Sequence, residues 1–203
     1  EADDIIAGLA IQAKQRGIFT IIFSGDKDFL QLVGDWVVVY APLRGGKGFV
    51  VMDREGVKRK YGVLPEQIPD YLALVGDASD NIPGVQGIGD KGARKLLEEF
   101  ESLEGIYRNL NRIANPRMRE ALKQGRESAF LSRQLVDMSN LHCDVPFSLE
   151  SLVYKGIDRA KAREFFCRLE FHRFLEELGL SEVEEVQFEE RAGVIEEGAG
   201  VVV

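Results

Sequence analysis

The first sixty residues alternate between a helical spacing of hydrophobic positions and short, continuous hydrophobic runs. One helix face is predicted by apolar residues three and four positions apart: Ile5, Ile6, Leu9, Ala10 and Ala13. The unbroken apolar run over residues 18–23 predicts a parallel strand that is buried on both faces. Residues 36–40 and 49–52 are two further strand-like runs, joined by a glycine-rich turn at residues 44–48. This order predicts an α/β segment.

From Asp53 onward the hydrophobic pattern is helical. Asp53 suits the N-cap of a helix over residues 54–61, and Pro65 and Pro69 mark the entry to a helix that reaches Val75. Further helices are predicted over residues 91–100, 102–110, 116–123, 127–136, 159–169 and 171–178. The first of these has an apolar inner side made of Ala93, Leu96, Leu97 and Phe100. A helical part therefore follows the α/β segment.

Composition and charge fit a globular protein. The 203 residues are 45% hydrophobic, which is enough for a core, and their formal net charge is −8. This balance excludes a protein coated in positive charge, although basic residues can still cluster on one surface. Cys143 and Cys167 have no metal-type spacing and form no disulfide framework, which favours reduced thiols in the cytoplasm. No apolar run is long enough to span a bilayer, and the sequence shows no signal peptide.

Carboxylates cluster beside the apolar runs at three places: Glu1, Asp3, Asp4, Asp26, Asp28, Asp77 and Asp80. Asp26 and Asp28 follow the strand predicted over residues 18–23, at the edge where open α/β sheets bind ligands. Asp77 and Asp80 are three positions apart, which predicts that they share one side of a helical turn. Each pair alone is more often a solvated surface pair. The prediction of a functional site therefore depends on their convergence.

Convergence of these acids would require cations. Two like charges about 4 Å apart cost about 4 kcal/mol at an effective dielectric constant near 20. Ligands that are all oxygen favour Mg²⁺ or Mn²⁺, and zinc is disfavoured because His142 and His172 lie far along the chain from the acids. Two such ions would support hydrolysis of a phosphodiester.

A glycine-rich segment follows the last acids. Gly84, Gly87 and Gly89 fit a hairpin between two helices, where the backbone can approach a phosphate closely. Positive charge is added by Lys91, Arg94 and Lys95. Such charges bind phosphates and do not recognise the base sequence. A purely structural turn is the alternative interpretation. A dinucleotide-binding fold is disfavoured because no apolar strand leads into the segment.

A second basic group lies further along the helical part: Arg108, Arg112, Arg117, Arg119, Lys123 and Arg126. It either extends a contact with duplex nucleic acid or forms a solvated helical face. The sequence favours neither interpretation.

Five segments are highly specific when taken together. They are residues 1–4 (Glu-Ala-Asp-Asp), 24–28 (Ser-Gly-Asp-Lys-Asp), 60–63 (Lys-Tyr-Gly-Val), 76–81 (Gly-Asp-Ala-Ser-Asp-Asn) and 84–89 (Gly-Val-Gln-Gly-Ile-Gly). The chain thereby resembles the structure-specific 5′ nucleases, and most closely the 5′–3′ exonuclease domains of bacterial DNA polymerase I. The likeness covers about residues 1–180, and residues 144–146 and 169–171 favour the polymerase over a stand-alone exonuclease.

The resemblance implies an α/β fold, with a partial PIN-like parallel-sheet nuclease core followed by a mainly helical helix-hairpin-helix region. It divides the chain into the C-terminal part of the nuclease core (residues 1–64), the DNA-binding helix-hairpin-helix region (65–140), and a helical connector toward the rest of the polymerase with a mobile tail (141–203). The implied activity is divalent-metal-dependent 5′–3′ exonuclease and flap endonuclease cleavage near 5′ ends of branched duplex DNA, as in primer removal and repair.

The resemblance also implies roles for individual residues. The implied catalytic residues are Glu1, Asp3, Asp26, Asp28 and Asp80. Two Mg²⁺ or Mn²⁺ ions would be held by the same acids together with Asp4 and Asp77. The implied DNA contacts are Gly84, Gln86, Gly87, Gly89, Lys91, Arg94 and Lys95. A potassium ion would lie on the carbonyls of Gly84, Val85 and Ile88.

The chain departs from the family in one respect. The family has further aspartates, an N-terminal strand and a basic helical arch upstream of its Glu-Ala-Asp-Asp segment, and this sequence has no counterpart of them. We therefore expect a truncated nuclease domain that cleaves weakly or not at all alone. The alternative function is a non-catalytic helix-hairpin-helix DNA-binding module, and RNA-directed hydrolysis by a PIN-type enzyme is a weaker one. The expected partners are flapped duplex DNA and downstream polymerase domains, for a cytoplasmic monomer without membrane contact.

Overall fold

The computed structural model describes residues 2–43, 45–46, 48–138 and 148–181. The predictions for Glu1, His142, Cys143 and the tail from residue 182 lie outside the described residues. The chain divides into two compact units, Glu1–Leu152 and Val153–Val203. Within the described ranges, no helix is both long and apolar enough to cross a membrane.

A helix and a small mixed sheet open the first unit. Helix α1 (Ala2–Gln15) packs on strand β1 (Thr20–Phe23) through small buried residues such as Ala7 and Ala10. A 3₁₀ turn (Asp28–Leu32) leads to β2 (Val37–Pro42), which pairs in parallel with β1, and β3 (Phe49–Met52) then pairs antiparallel with β2. The sheet order is β1-β2-β3, with Phe23 opposite Tyr40 in the first pair. The sheet is mixed because a tight turn can join only antiparallel strands.

The burial expected for β1 is wrong. Ile22 is buried, but Ile21 and Phe23 are 52% and 66% exposed. β1 is an edge strand of the described sheet, and Phe23 meets Phe49 only edge to face, at 5.9 Å between ring centroids. A continuous apolar run fits one buried face as well as two, so the run alone could not decide the burial of the strand.

Helices and 3₁₀ turns follow the sheet in the described part of the first unit. Their bounds are α2 (Arg54–Tyr61), α3 (Ile68–Val75), α4 (Asp90–Phe100), α5 (Leu103–Arg108), α6 (Pro116–Gln124) and α7 (Arg126–Val136), with 3₁₀ turns at Pro65–Gln67, Leu110–Arg112 and Leu149–Leu152. Asp53 caps α2 by accepting the Gly56 N–H at 2.7 Å, as predicted. The predicted inner side of α4 is buried throughout.

Helices α3 and α7 pack side by side and form the centre of the helical part. The carboxylate of Asp70, buried on α3, accepts the Leu103 N–H at 2.9 Å and pairs with Arg133 of α7 at 2.5 Å. Arg133 also pairs with Asp137 at 2.5 Å. A buried charge is tolerated when it is paired and hydrogen-bonded in this way, so Asp70 fixes α3, α5 and α7 relative to one another.

The second unit contains the predicted helical hairpin, made of α8 (Arg159–Arg168) and α9 (His172–Glu177). Four aromatic rings pack against one another in it: Phe165, Phe166, Phe171 and Phe174. Cys167 is an exposed free thiol. The domain boundaries at residues 64/65 and 140/141 stay predictions.

Candidate functional site

The loop after β1 holds its acids through local hydrogen bonds. The Asp26 N–H donates to Ser24 Oγ at 3.0 Å, and the Asp28 N–H donates to Asp26 Oδ1 at 2.9 Å. Short polar side chains readily bind nearby backbone in this way, in place of regular structure. Asp26 and Asp28 are therefore fixed at the carboxyl end of β1, as the sequence predicted.

Asp77 and Asp80 lie in a turn that is not helical, which corrects the predicted helical spacing. The turn, residues 77–82, is closed by two hydrogen bonds between Asp77 and Ile82, of 2.9 and 2.7 Å. Inside it, Asp77 Oδ1 accepts the Ser79 N–H at 3.0 Å and the Ser79 hydroxyl at 2.6 Å. Gly76, with φ at +78°, ends α3 just before the turn. An aspartate that binds backbone two residues on favours such a turn over a helix. We call residues 77–82 the acid turn.

The separate acidic clusters meet in one cavity of about 470 Å³. The acids that line it are Asp3 and Asp4 of α1, Asp26 and Asp28 of the loop after β1, Asp80 of the acid turn, and Asp137, which directly follows α7. Another wall is formed by residues 134–138, at and just beyond the end of α7. Gln31 holds that wall in place, because its amide donates to the Val136 carbonyl at 2.9 Å and accepts the Met138 N–H at 2.8 Å. The predicted convergence of Asp26, Asp28 and Asp80 is thus present.

The cavity is electrostatically unfavourable for Asp28. Its Oδ1 is buried and has no hydrogen-bond donor among the described residues. Burial, followed by the charges of Asp26, Asp80 and Asp77, raises the pKa of Asp28 to about 7. Desolvation and the neighbouring Asp77 also raise the pKa of Asp80. These carboxylates repel one another unless a proton or a cation neutralises them.

Lys27 is a functional candidate that the sequence reasoning missed. Its ammonium lies 2.5 Å from Asp77 Oδ2, and the Asp77 side chain is only 6% exposed. Burial alone would raise the pKa of Asp77, but the bonds from Lys27 and Ser79 outweigh it and lower this pKa to about 2. The available signal was a single base between two acids in the segment over residues 24–28.

The described residues contain no group of three or more His, Cys, Asp or Glu side chains already placed to hold a metal ion. The donor chemistry nevertheless fits a hard divalent cation, since every candidate ligand is a carboxylate oxygen. The buried Asp28 oxygen without a donor is an open acceptor at this place. An ion would have to draw the acids closer together than they stand here.

A hairpin over residues 84–89 connects α3 to α4, as predicted. Gly84 has φ at +62°, and a Cβ on it would lie 2.4 Å from the backbone nitrogen of Gly76, so only glycine fits. Val85 and Ile88 are buried under the hairpin. Gly89 is the N-cap of α4, so the first turn of this helix follows the exposed glycines directly.

Two serines of α7 bind the start of the hairpin. The Ser128 hydroxyl donates to the Gly84 carbonyl at 2.6 Å, and the Gly84 N–H donates to Ser132 Oγ at 3.1 Å. Ser132 is fully buried. We call this pair the serine clip. Sequence reasoning missed it, although two serines four positions apart on one helix face were a visible signal.

The predicted DNA contacts differ in how they are placed. An exposed surface on and after the hairpin is formed by Gln86, Gly87, Gly89, Lys91 and Lys95. Arg94 instead binds Asp90 at 2.7 Å and the Lys60 carbonyl at 3.4 Å. Asp90 in turn accepts the Tyr71 hydroxyl at 2.7 Å. Arg94 therefore joins α2, α3 and α4 and is less available to a ligand than Lys91 or Lys95.

The other predicted sites have mixed support. The Gly84 carbonyl accepts Ser128, and the Val85 carbonyl accepts the Ile88 N–H at 3.0 Å, so the potassium site stays a prediction. Within the second basic group, Arg112 stacks over Phe100, and Arg126 lies over Tyr107 and Phe130. These two arginines pack against the protein's own aromatic rings.

Comparison with known proteins identifies the family. Residues 1–62 match the model of the N-terminal resolvase-like domain of 5′–3′ exonucleases, and residues 63–160 match that of their C-terminal SAM fold. The chain belongs to the 5′–3′ exonuclease family. The predicted resemblance is confirmed, and the two matches adjoin between α2 and α3.

Curated relatives of the family carry the name DNA polymerase I. The protein of Caldicellulosiruptor bescii is 47% identical over 193 residues, which are 93% of this chain and 22% of that protein. The thermostable DNA polymerase I of Thermus aquaticus is 41% identical over 182 residues, which are 90% of this chain and 21% of that protein. The chain thus spans about a fifth of the length of these relatives.

Solved structures confirm the predicted fold class. A mutant of the T5 5′-exonuclease aligns with a TM-score of 0.59 at 26% identity, over 68% of this chain and 55% of that one. A bacteriophage T5 flap endonuclease in a pseudo-enzyme–product complex with DNA and metal ions aligns with a TM-score of 0.58 at 25% identity, over 68% and 50%. The catalytic core of Rad2 aligns with a TM-score of 0.51 at 18% identity, over 79% and 53%, which shows the fold alone.

Proposed function

We propose that this chain is the part of a DNA polymerase I that hydrolyses phosphodiester bonds near 5′ ends and flaps of branched duplex DNA, with divalent metal ions. The observation that carries the proposal is the single cavity in which Asp3, Asp26, Asp28 and Asp80 meet. Family membership and the T5 flap endonuclease, whose structure contains DNA and metal ions, support it.

The carboxylates of the cavity would hold the metal. Asp3, Asp4, Asp26, Asp28 and Asp80 are the proposed ligands, together with Glu1. Bound there, Mg²⁺ or Mn²⁺ would supply Lewis acidity for phosphodiester hydrolysis. The chain's own contribution is to keep these oxygens at one place, through the local hydrogen bonds of Asp26 and Asp28 and through the wall at the end of α7.

The hairpin would bind the duplex backbone. Its exposed glycines allow close approach, and Lys91 and Lys95 contribute positive charge beside the start of α4. Because these contacts involve no base edges, binding would tolerate any sequence and weaken with salt. Potassium at the hairpin carbonyls belongs to the same proposal.

Further parts of the proposal concern the chain in its setting. Downstream polymerase domains as partners, a monomeric state and a cytoplasmic location are expectations that follow from the DNA polymerase I relatives. Weak or absent cleavage by this chain alone is a separate expectation. A Mg²⁺-dependent flap assay at a rate equal to that of a complete DNA polymerase I would contradict it.

Calorimetric titration of the chain with Mn²⁺ tests the metal site. Asp28→Asn and Asp80→Asn keep the side-chain shape but remove a charged ligand, so each should weaken Mn²⁺ binding about tenfold or more. Asp35→Asn is the matched control, because Asp35 is exposed and does not line the cavity. If the wild-type chain takes up no Mn²⁺, or if both cavity variants bind it as wild type does, the metal-dependent function is wrong.

Duplex binding distinguishes the nuclease from a binding module without metal chemistry. Lys91→Ala and Lys95→Ala should weaken duplex affinity at every sequence, and each should reduce the slope of log affinity against log salt by about 0.9. Intact DNA affinity combined with no Mn²⁺ uptake would favour the module.

A further inference from the structure

The first turn of α4 is tied back to α3 by a side-chain hydrogen bond. Tyr71 lies in α3, and its hydroxyl donates to Asp90 Oδ1 at 2.7 Å. Asp90 is the first residue of α4 and directly follows the hairpin over residues 84–89. The bond therefore joins the two helices across the acid turn and the hairpin, between residues that are 19 positions apart along the chain.

The same oxygen of Asp90 also holds Arg94. Arg94 Nε donates to Asp90 Oδ1 at 2.7 Å, and a second guanidinium nitrogen donates to the Lys60 carbonyl, in the last turn of α2, at 3.4 Å. The stem of Arg94 packs so closely there that a Cβ on Gly62 would lie 2.8 Å from Arg94 Cδ. We call Tyr71, Asp90 and Arg94 the tyrosine lock. The lock joins α4 to α2 and α3.

The members of the lock differ in their exposure. Tyr71 is only 7% exposed, so it offers almost no surface to a ligand. The Asp90 side chain is 46% exposed, and it precedes Lys91 on the surface proposed for the duplex backbone. The bonds from Tyr71 and Arg94 hold the pKa of Asp90 below its usual range, so this carboxylate is charged at neutral pH. A negative charge at this place repels phosphate, which calls for another role of Asp90.

We propose that the tyrosine lock fixes the direction of α4 relative to α3 and thereby presents the hairpin to a duplex in its binding shape. Tyr71 and Asp90 are positioning residues, which act through the exposed glycines and lysines of the hairpin surface. Pre-organisation of this kind raises affinity, because fewer groups have to be ordered on binding. The inference deepens the proposed function and rests on the duplex binding proposed there.

Simple electrostatics and the lock predict opposite signs for Asp90→Ala. If Asp90 only repels phosphates, its removal should tighten duplex binding, and Asp90→Asn should tighten it as well. If Asp90 positions α4, Asp90→Ala should weaken duplex binding, because the acceptor for Tyr71 and Arg94 is lost. Asp90→Asn should then lie between Asp90→Ala and wild type, since the amide oxygen can still accept a hydrogen bond.

The experiment measures the affinity of the chain for a fluorescently labelled DNA duplex by fluorescence anisotropy, at several salt concentrations. Tyr71→Phe and Asp90→Ala should each raise the dissociation constant about threefold to tenfold, and the double variant should bind no more weakly than Asp90→Ala alone. Tyr71→Phe changes no charge, so the line of log affinity against log salt should shift without a change of slope. Tyr61→Phe is the matched control and should bind as wild type does. Its ring packs edge to face on Tyr71, at 6.0 Å between centroids, and the bond to Asp90 is kept.

Urea unfolding of the same variants without DNA shows whether each is folded under the binding conditions. Tyr71→Phe keeps the buried ring and Asp90→Asn keeps the side-chain shape, so these two decide the question if Asp90→Ala unfolds. The lock is overturned if either Asp90 variant binds the duplex more tightly than wild type, if Tyr71→Phe binds as the control does, or if the two losses add in the double variant. A wild-type chain without salt-dependent duplex affinity would instead contradict the proposed function, and the role of the lock with it.

Discussion

The hairpin and the acidic cavity meet within one short stretch of chain, residues 76–89, yet they are built in opposite ways. At the start of the hairpin, the N–H and the carbonyl of Gly84 both have partners in the serine clip. In the cavity, like charges stand together and one buried oxygen of Asp28 has no donor among the described residues. The hairpin adds to the stability of the fold, and the cavity subtracts from it.

This difference shows which part of the fold supports the other. The Gly76–Gly84 backbone contact joins the acid turn to the hairpin, and the serine clip joins the hairpin to α7. The acids can therefore remain close together because well-packed neighbours hold the loops that carry them. Functional sites commonly retain such unfavourable arrangements when the surrounding structure determines them.

The largest loss of stability in the hairpin is expected for Gly84→Ala. The added Cβ would overlap the backbone at Gly76, and φ at +62° disfavours any other residue, so we expect a loss of about 3 kcal/mol or more in the free energy of unfolding. Urea denaturation measures it. Gly89→Ala is the matched control, because a Cβ there meets nothing within 4 Å and the change should cost below about 1 kcal/mol. Equal losses for the two glycines would show that the Gly76–Gly84 contact is unimportant.

Ser132→Ala should have the next largest effect. It leaves the Gly84 N–H without its acceptor in a fully buried place, which costs about 1–3 kcal/mol of unfolding free energy. Ser128→Ala removes only a donor to the Gly84 carbonyl at a partly buried place, so it should cost about 1 kcal/mol or less. A Ser132→Ala protein as stable as wild type would contradict the serine clip.

Asp28→Asn tests the cavity instead of the hairpin. It should stabilise the metal-free protein, because it removes one of the charges that repel one another there. Since the pKa of Asp28 is raised to about 7, the folded protein keeps a proton there that the unfolded chain loses near pH 4. The contribution of the Asp28 carboxyl to the free energy of unfolding therefore falls as the pH rises from about 4 to about 7.

At pH 8 the substitution should add about 1–2 kcal/mol after allowance for solvent screening, and it should flatten the decline with pH. Thermal unfolding across pH 4–8 in a chelator measures both effects, with Asp35→Asn as the unchanged reference. A wild-type protein whose stability rises through this pH window, or an Asp28→Asn protein less stable than wild type at pH 8, would contradict the repulsion.

Elements that depend on local pattern could be predicted from the sequence. The spacing of Ala93, Leu96, Leu97 and Phe100 gave the buried side of α4, and Asp53 gave the start of α2. The order of acids and glycines predicted the family and most of the acids that line the cavity, but it included Asp77, which does not line it, and missed Asp137, which does.

Features that depend on long-range packing could not be predicted in the same way. The exposure of Ile21 and Phe23 depends on what covers the sheet, which an apolar run does not record. The turn at Asp77 depends on Ser79 and on closure by Ile82, so a spacing of three was misleading. The pairing of Lys27 with Asp77 and that of Gly84 with α7 join residues about fifty positions apart along the chain, so the local signals at Lys27 and in α7 do not identify the partner.

Helix α7 contacts the hairpin through Ser128 and borders the cavity at Val136. The length of helix between these two residues therefore sets the distance between the hairpin and the cavity. Eight residues of α-helix measure about 12 Å, and a nucleic-acid strand advances about 3.4 Å per nucleotide. A strand gripped at one end of this helix would therefore be presented to the acids about three to four nucleotides away. Under the proposed function, the length of α7 would set the distance between the gripped backbone and the acids, whatever the base sequence.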